Sequence, residues 1–136
     1  MGALGIHHLG VAVTDLDESV ATYGRLFGAT LEHRAVVADQ GVEAASLRVG
    51  DSRVELLSPL REDSPVGRFL AARGPGMHHV AFTVSDLPAE LARLRADGAQ
   101  LIDEEPRVGL YGLQVAFVHP EATGGVLAEL VVDGSD

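Results

Sequence analysis

The chain has no cysteine, no lysine and no apolar run of about 18 residues. Without cysteine there are no disulfides and no thiolate metal ligands. Without a long apolar run no membrane span is expected. The N-terminus has no basic segment followed by an apolar one, so no secretory signal is read and a cytoplasmic location is expected. Positive charge is scarce: the net charge is −10, and all ten basic residues are arginine. That balance argues against a nucleic-acid partner, which needs a basic face to neutralise phosphates. It leaves room for an anionic small ligand, because a few guanidinium groups make a local cationic site suited to carboxylate or phosphate.

What is present is a globular composition, with 46% apolar and 22% charged residues. At 136 residues, one domain spanning 1–136 is expected, large enough to bury a core. The strongest signal is an internal repeat. His7-His8-Leu9-Gly10-Val11-Ala12-Val13-Thr14-Asp15-Leu16 is echoed 71 residues later by His78-His79-Val80-Ala81-Phe82-Thr83-Val84-Ser85-Asp86-Leu87.

Both copies continue alike. The first predicts a strand over about Ile6 to Val13 and a helix opened by Asp15, with Glu18 completing a capping box. That helix places Val20, Tyr23 and Phe27 on one apolar face, and Gly28 stops it. Strands follow at Thr30 to Val37, Val42 to Val49 and Arg53 to Leu57, the last two joined by a Gly50-Asp51 turn. The second copy predicts a strand from Met77 to Val84, then a helix capped by Asp86 with Pro88 in its first turn. Leu87, Leu91 and Leu94 form its apolar face, and Gly98 ends it. Three strands follow, near Gln100 to Ile102, Leu113 to Val118 and Val126 to Val132. The class is therefore α+β, two tandem βαβββ modules at about 5–60 and 76–133, joined by a short linker helix at about 61–75 that Ser64-Pro65 opens and Gly74 ends.

Strand parity sorts the histidines. His7 shares a face with Leu9, Val11 and Val13, and His78 with Val80, Phe82 and Val84, rows that must pack on a helix. His8 shares its face with Gly10, Ala12 and Thr14, and His79 with Ala81, Thr83 and Ser85. Small neighbours beside an imidazole suit a cavity wall. Each last strand also carries a carboxylate in an apolar run: Glu55 and Glu129. A buried carboxylate needs a proton, a cation or a metal. A lone strand His is usually structural, and a lone strand Glu is often solvated. Here both modules place the two types at equivalent strands, so His8, Glu55, His79 and Glu129 are the candidate metal ligands. Nitrogen and oxygen donors without sulfur suit Co, Ni, Zn, Mn or Fe. His7 and His78 read as core or supporting residues, and His33 and His119 are not expected to be ligands.

This pattern resembles the vicinal oxygen chelate superfamily (glyoxalase and bleomycin-resistance-like proteins), and within it the methylmalonyl-CoA epimerases. The stretches that carry the resemblance are Asp39-Gln40-Gly41-Val42, Val54-Glu55-Leu56-Leu57-Ser58-Pro59-Leu60, Glu62-Asp63-Ser64-Pro65, Gly76-Met77-His78-His79-Val80-Ala81-Phe82, Asp103-Glu104-Glu105-Pro106-Arg107, and His119-Pro120 with Gly124-Gly125-Val126-Leu127-Ala128-Glu129-Leu130. The resemblance implies ligands at His8, position 55, His79 and Glu129; position 55 is Gln in some members and Glu here. It implies a divalent ion, Co2+ first and Ni2+, Zn2+ or Mn2+ as alternatives, with no organic cofactor. It implies a CoA-thioester substrate, a homodimer, and inversion at C2 of a malonyl-type thioester through an enolate that the metal stabilises.

Inversion needs two acid/base groups flanking C2. Glu129 resembles the residue given one of these roles. Some members carry Glu where this chain has Ala44, and Glu43 is its neighbour. A one-residue shift along a strand turns the side chain to the other face, so either a local bulge restores Glu43 to the site, or another group or water supplies the proton. Glu121 stands where the family often has Lys, which leaves Arg107 as a candidate for the CoA phosphates. Two alternatives remain: a glyoxalase I-type lactoylglutathione lyase, which uses a similar ligand set, and a metal-free small-molecule-binding protein of the same fold.

Overall fold

The computed structural model describes residues 2–133; Met1 and the residues from Gly134 on, counted within the expected domain, lie outside. The contacts gather into two compact bodies. One holds His8 to His78. The other holds the residues from His79 onward together with the described residues up to His7. Both expected βαβββ sequences are present, and the α+β class is borne out.

In the first body, β1 (Gly5–Ala12) leads to α1 (Leu16–Phe27), β2 (Thr30–Val37), β3 (Val42–Val49) and β4 (Ser52–Pro59), ordered β2-β3-β4-β1. The last contact is parallel and the others antiparallel. Asp15 accepts the Glu18 N–H at 3.0 Å and so satisfies an otherwise orphaned helix donor. Gly28 ends the helix with φ near 69°, a left-handed turn that a side chain disfavours. Leu16, Val20 and Tyr23 pack on Val11, Val13, Ala45, Leu47 and Leu56, the helix-facing row of the sheet. Phe27 departs from the expected apolar face. It is 63% exposed, one turn past the end of that contact, and meets only the edge of Tyr23 at 5.7 Å between centroids among the ring contacts described.

The linker helix α2 (Pro65–Arg73) explains two of the family-like motifs. Ser64 caps it: its hydroxyl accepts from the Gly67 N–H at 3.1 Å and donates to the Arg61 carbonyl at 2.7 Å. A Cβ on Gly41 would come within 2.9 Å of the Ser64 Cβ, and Gly41 itself sits at φ +69°. The Gln-Gly and Asp-Ser-Pro stretches are thus two sides of one tight contact.

In the second body, β5 (Gly76–Thr83), α3 (Leu87–Ala96), β6 (Arg107–Val108), β7 (Gln114–Val118) and β8 (Ala128–Val131) repeat the pattern, ordered β5-β8-β7-β6. Asp86 caps α3 through the Ala89 N–H at 3.1 Å. Leu87, Leu91 and Leu94 pack on Phe82, Val84, Ala116, Val118 and Leu130, as the periodicity predicts. The strand expected at Gln100 to Ile102 is reduced to a bridge between Leu101 and Val118. Its pairing with β7 stops because Asp103 Oδ2 takes the Phe117 N–H at 2.8 Å, where a ladder carbonyl would otherwise accept. Pairing resumes only past Pro106, in the two residues of β6. The first residues of the chain belong to this body: Leu4 N–H donates to the Thr83 carbonyl at 2.8 Å, and Gly2 N–H to the buried Glu90 carboxylate at 3.1 Å.

Candidate active site

Each body presents one His–carboxylate pair at the same place in its module. In the first, β1 lies parallel to β4, with Gly10 beside Glu55. Ladder partners project to the same side, so Glu55 shares the face of His8. The two side chains meet with His8 Nε2 3.5 Å from Glu55 Oε2. In the second, β5 lies parallel to β8 with Ala81 beside Glu129, and His79 Nε2 is 3.2 Å from Glu129 Oε1. His8, His79 and Glu129 are buried at 4–5% exposure, and the Glu55 side chain is 13% exposed.

These pairs fit a divalent ion chemically. Neighbouring donors around an ion with bonds near 2.1 Å lie about 3 Å apart. The two His–carboxylate separations approach that spacing, and imidazole nitrogen with carboxylate oxygen is a donor set such ions accept.

His7 and His78 point elsewhere. His7 is buried beside Asp133, Nε2 to Oδ2 3.5 Å. His78 meets the edge of Phe69 at 5.0 Å between centroids, and Arg73 lies over that phenyl ring. His119 Nδ1 accepts the Glu121 N–H at 3.0 Å and caps the turn that follows.

The β3–β4 ladder runs from Val42 to Val49 without a bulge. The bulge that would turn Glu43 to the ligand face is not present on this ladder. Ala44 pairs with Leu57 on the Glu55 side, while Glu43 projects to the α1 side. There it receives the Arg34 Nε hydrogen bond at 3.0 Å, and Arg34 also reaches Asp17. The Glu43 hydrogen bond first, and Asp17 second, hold the Arg34 guanidinium above its ordinary pKa. Arg107, by contrast, shares the Glu129 side: Arg107 pairs with Val115, and Val115 with Val131, two residues beyond Glu129. Asp103 Oδ1 holds it at 3.2 Å.

Register also exposes residues that sequence reading missed. Glu129 pairs with Phe117, whose ring lies edge-on to His79 at 5.7 Å. The equivalent partner of Glu55 is Ser46, 1% exposed. One body thus braces its imidazole with an aromatic ring, and the other puts a small hydroxyl in that place. The alternation Val42, Ala44, Ser46 was the available signal. It became meaningful only once the strand partners were known.

Comparison with known proteins extends this picture. Residues 7–117 match the glyoxalase/bleomycin resistance protein/dioxygenase superfamily. The mitochondrial methylmalonyl-CoA epimerase of Homo sapiens is 34% identical over 126 residues, covering 92% of this chain and 72% of that protein. The crystal structure of methylmalonyl-CoA epimerase from Mycobacterium tuberculosis is 40% identical with a TM-score of 0.94, covering 97% of this chain and 89% of that one. A methylmalonyl-CoA epimerase solved in complex with methylmalonyl-CoA and NH4+ is 39% identical with a TM-score of 0.95, covering 98% and 97%.

Proposed function

Because the chain belongs to the glyoxalase/bleomycin resistance protein/dioxygenase superfamily, and within it to the methylmalonyl-CoA epimerases, we propose that it interconverts the two C2 epimers of methylmalonyl-CoA. The observation that carries this reading is likeness to epimerases at 34–40% identity over 92–98% of the chain. It is an enzyme of the isomerase class, acting on a CoA thioester.

His8, Glu55, His79 and Glu129 hold one divalent ion, Co2+ first, with Ni2+, Zn2+ or Mn2+ as alternatives. The support is the equivalence of the two pairs in a repeated module, together with the burial of His8, His79 and Glu129. When bound, the ion supplies a Lewis acid for the thioester carbonyl and the free carboxylate. Glu129 also acts as a base and an acid, its carboxylate taking and returning the C2 proton on one face of the substrate. A second acid/base group must serve the other face. Arg107, held by Asp103, offers a cation for the CoA phosphates. The chain works as a single domain and a homodimer in the cytoplasm. No helix among the described residues is long and apolar enough to cross a membrane.

The test is incubation with one epimer of methylmalonyl-CoA in D2O, with each metal and after chelation. The expected result is deuterium at C2 together with the second epimer. Both are lost on chelation and restored by Co2+. If every metal leaves C2 undeuterated and the second epimer absent, the reading fails; turnover of methylglyoxal–glutathione hemithioacetal would then favour the lyase.

A further inference from the structure

One stretch singled out in the sequence, Asp103-Glu104-Glu105-Pro106-Arg107, is not accounted for by the ligand set. The Asp103 side chain is 13% exposed and gives its two oxygens to different partners. Oδ2 accepts the Phe117 N–H at 2.8 Å, and Oδ1 accepts from Arg107 Nη1 at 3.2 Å. All three residues lie in the second body. The Phe117 carbonyl in turn accepts the N–H of Ile102 at 3.0 Å and that of Asp103 at 3.2 Å. Both backbone groups of Phe117 are therefore turned toward residues 102–103 and away from β8. That makes Phe117 and Glu129, which stand opposite each other, a non-hydrogen-bonded pair. In such a pair the Cα atoms are about 4.5 Å apart and the side chains are at their closest. The Phe117 ring also meets His79 edge-on. One aromatic residue thus stands beside both members of a His–carboxylate pair, and Asp103 fixes its peptide.

The Arg107 bond acts on the same side of this sheet. The row Arg107–Val115–Val131 is next to that of Phe117 and Glu129. The backbone of Arg107 stands two strands from β8, about 10 Å across the sheet. That separation suits the arm of a substrate rather than its C2. The Arg107 side chain is 30% exposed, so a solvated anion can reach it. A guanidinium carries its five donors in a rigid fork, and fixing one terminal nitrogen orients the whole fork. Arg95 of α3 steadies the intervening loop by donating to the Glu104 carbonyl at 2.9 Å.

We propose that Asp103 is a positioning residue of the epimerisation, an inference that rests on the epimerase reading. One oxygen sets Arg107 for the CoA phosphates, and the other fixes Phe117 against the His79–Glu129 pair. Positioning and bare charge predict opposite signs. Removing a carboxylate near a bound phosphate relieves repulsion, which at about 4 Å in water would tighten binding by up to about fivefold. Losing the orientation of Arg107 weakens binding instead. Asparagine separates the two tasks. Its carbonyl oxygen still accepts the Phe117 N–H, while its amide nitrogen, a donor, faces the donors of Arg107. Alanine abolishes both bonds.

The experiment measures steady-state epimerisation by the Co2+-loaded protein and its Asp103→Asn, Asp103→Ala and Arg107→Gln variants. The substrates are methylmalonyl-CoA and methylmalonyl-pantetheine, which carries no phosphate. Asp103→Asn raises KM for methylmalonyl-CoA about tenfold with kcat within about threefold, and keeps KM for methylmalonyl-pantetheine within about threefold. Added to Arg107→Gln, it changes KM no further. Co2+ affinity, from titration of the metal-free proteins, stays within about threefold in Asp103→Asn and falls about tenfold in Asp103→Ala. A KM that is unchanged or lower in Asp103→Asn, or raised equally for both substrates, overturns the positioning of Arg107. Equal Co2+ affinity in wild type and Asp103→Ala overturns that of Phe117. Wild-type protein that epimerises neither substrate overturns the epimerase reading and the role of Arg107 with it, while the Co2+ affinities still judge the Phe117 bond.

Discussion

Gly67 and Gly24 are both helical glycines, yet replacing each with alanine should have opposite effects. Gly67 lies in the first turn of α2. A Cβ there would stand 2.5 Å from the Arg61 carbonyl oxygen and 2.5 Å from that of Glu62. Both are backbone atoms of the turn that Ser64 ties down through its bonds to Arg61 and Gly67. The turn cannot retreat without loosening the cap. Alanine gains about 0.5–1 kcal/mol in helix preference over glycine. Overpacking costs about 1–3 kcal/mol, and a weakened buried hydrogen bond about 1 kcal/mol more. The net expectation for Gly67→Ala is a loss of about 2 kcal/mol. A chain of 136 residues has an unfolding entropy of about 0.3 kcal/mol/K at its midpoint, so Tm should drop by about 7 °C. At Gly24 in α1 the added Cβ would meet only the Ala29 carbonyl, at 3.5 Å. Gly24→Ala should therefore raise Tm by about 2–3 °C. Thermal melts followed by circular dichroism read both. A Gly67→Ala protein melting within about 1 °C of wild type, or shifts of the same sign in both variants, would refute the steric argument.

Two further outcomes follow from the local geometry. Glu43→Gln should leave kcat and kcat/KM at their wild-type values, since Glu43 faces Arg34 and not the ligands; a steady-state loss of about tenfold or more would return it to the reaction. Asp86→Ala removes the acceptor for the Ala89 N–H and should cost about 1 kcal/mol, whereas Asp86→Gly should cost only a few tenths, so equal melting shifts would argue against capping.

The parts of the fold written in local chemistry were legible beforehand. Asp15, Gly28, Asp86 and the leucine row of α3 each announce a helix boundary or face, and the structure has them there. The two His–carboxylate pairs were legible because strand parity and the repeat act together. Phe27 was misread because periodicity alone does not say where a helix runs off its sheet. The weakened strand near Leu101 was hidden because Asp103 competes for a backbone donor 14 residues away in sequence. The register shift between Leu31 and His33 is a property of the β2–β3 pairing, not of β2 itself. For that reason the pairing of His33 with Ser46, and of Ser46 with Glu55, was not visible until the strands had partners.

The division of β1 at His7 bears on how the repeats could ever be handled apart. Severing the linker helix would not yield two self-sufficient halves, because the earliest residues complete the later body through Leu4, Gly2 and Glu90. A C-terminal fragment starting at Gly76 would lack the strand start that caps Thr83. During synthesis, likewise, the residues around Leu4 must wait for Thr83, a partner made 79 residues later. Complementation between co-expressed fragments, not independent folding of the later one, is the behaviour this arrangement favours.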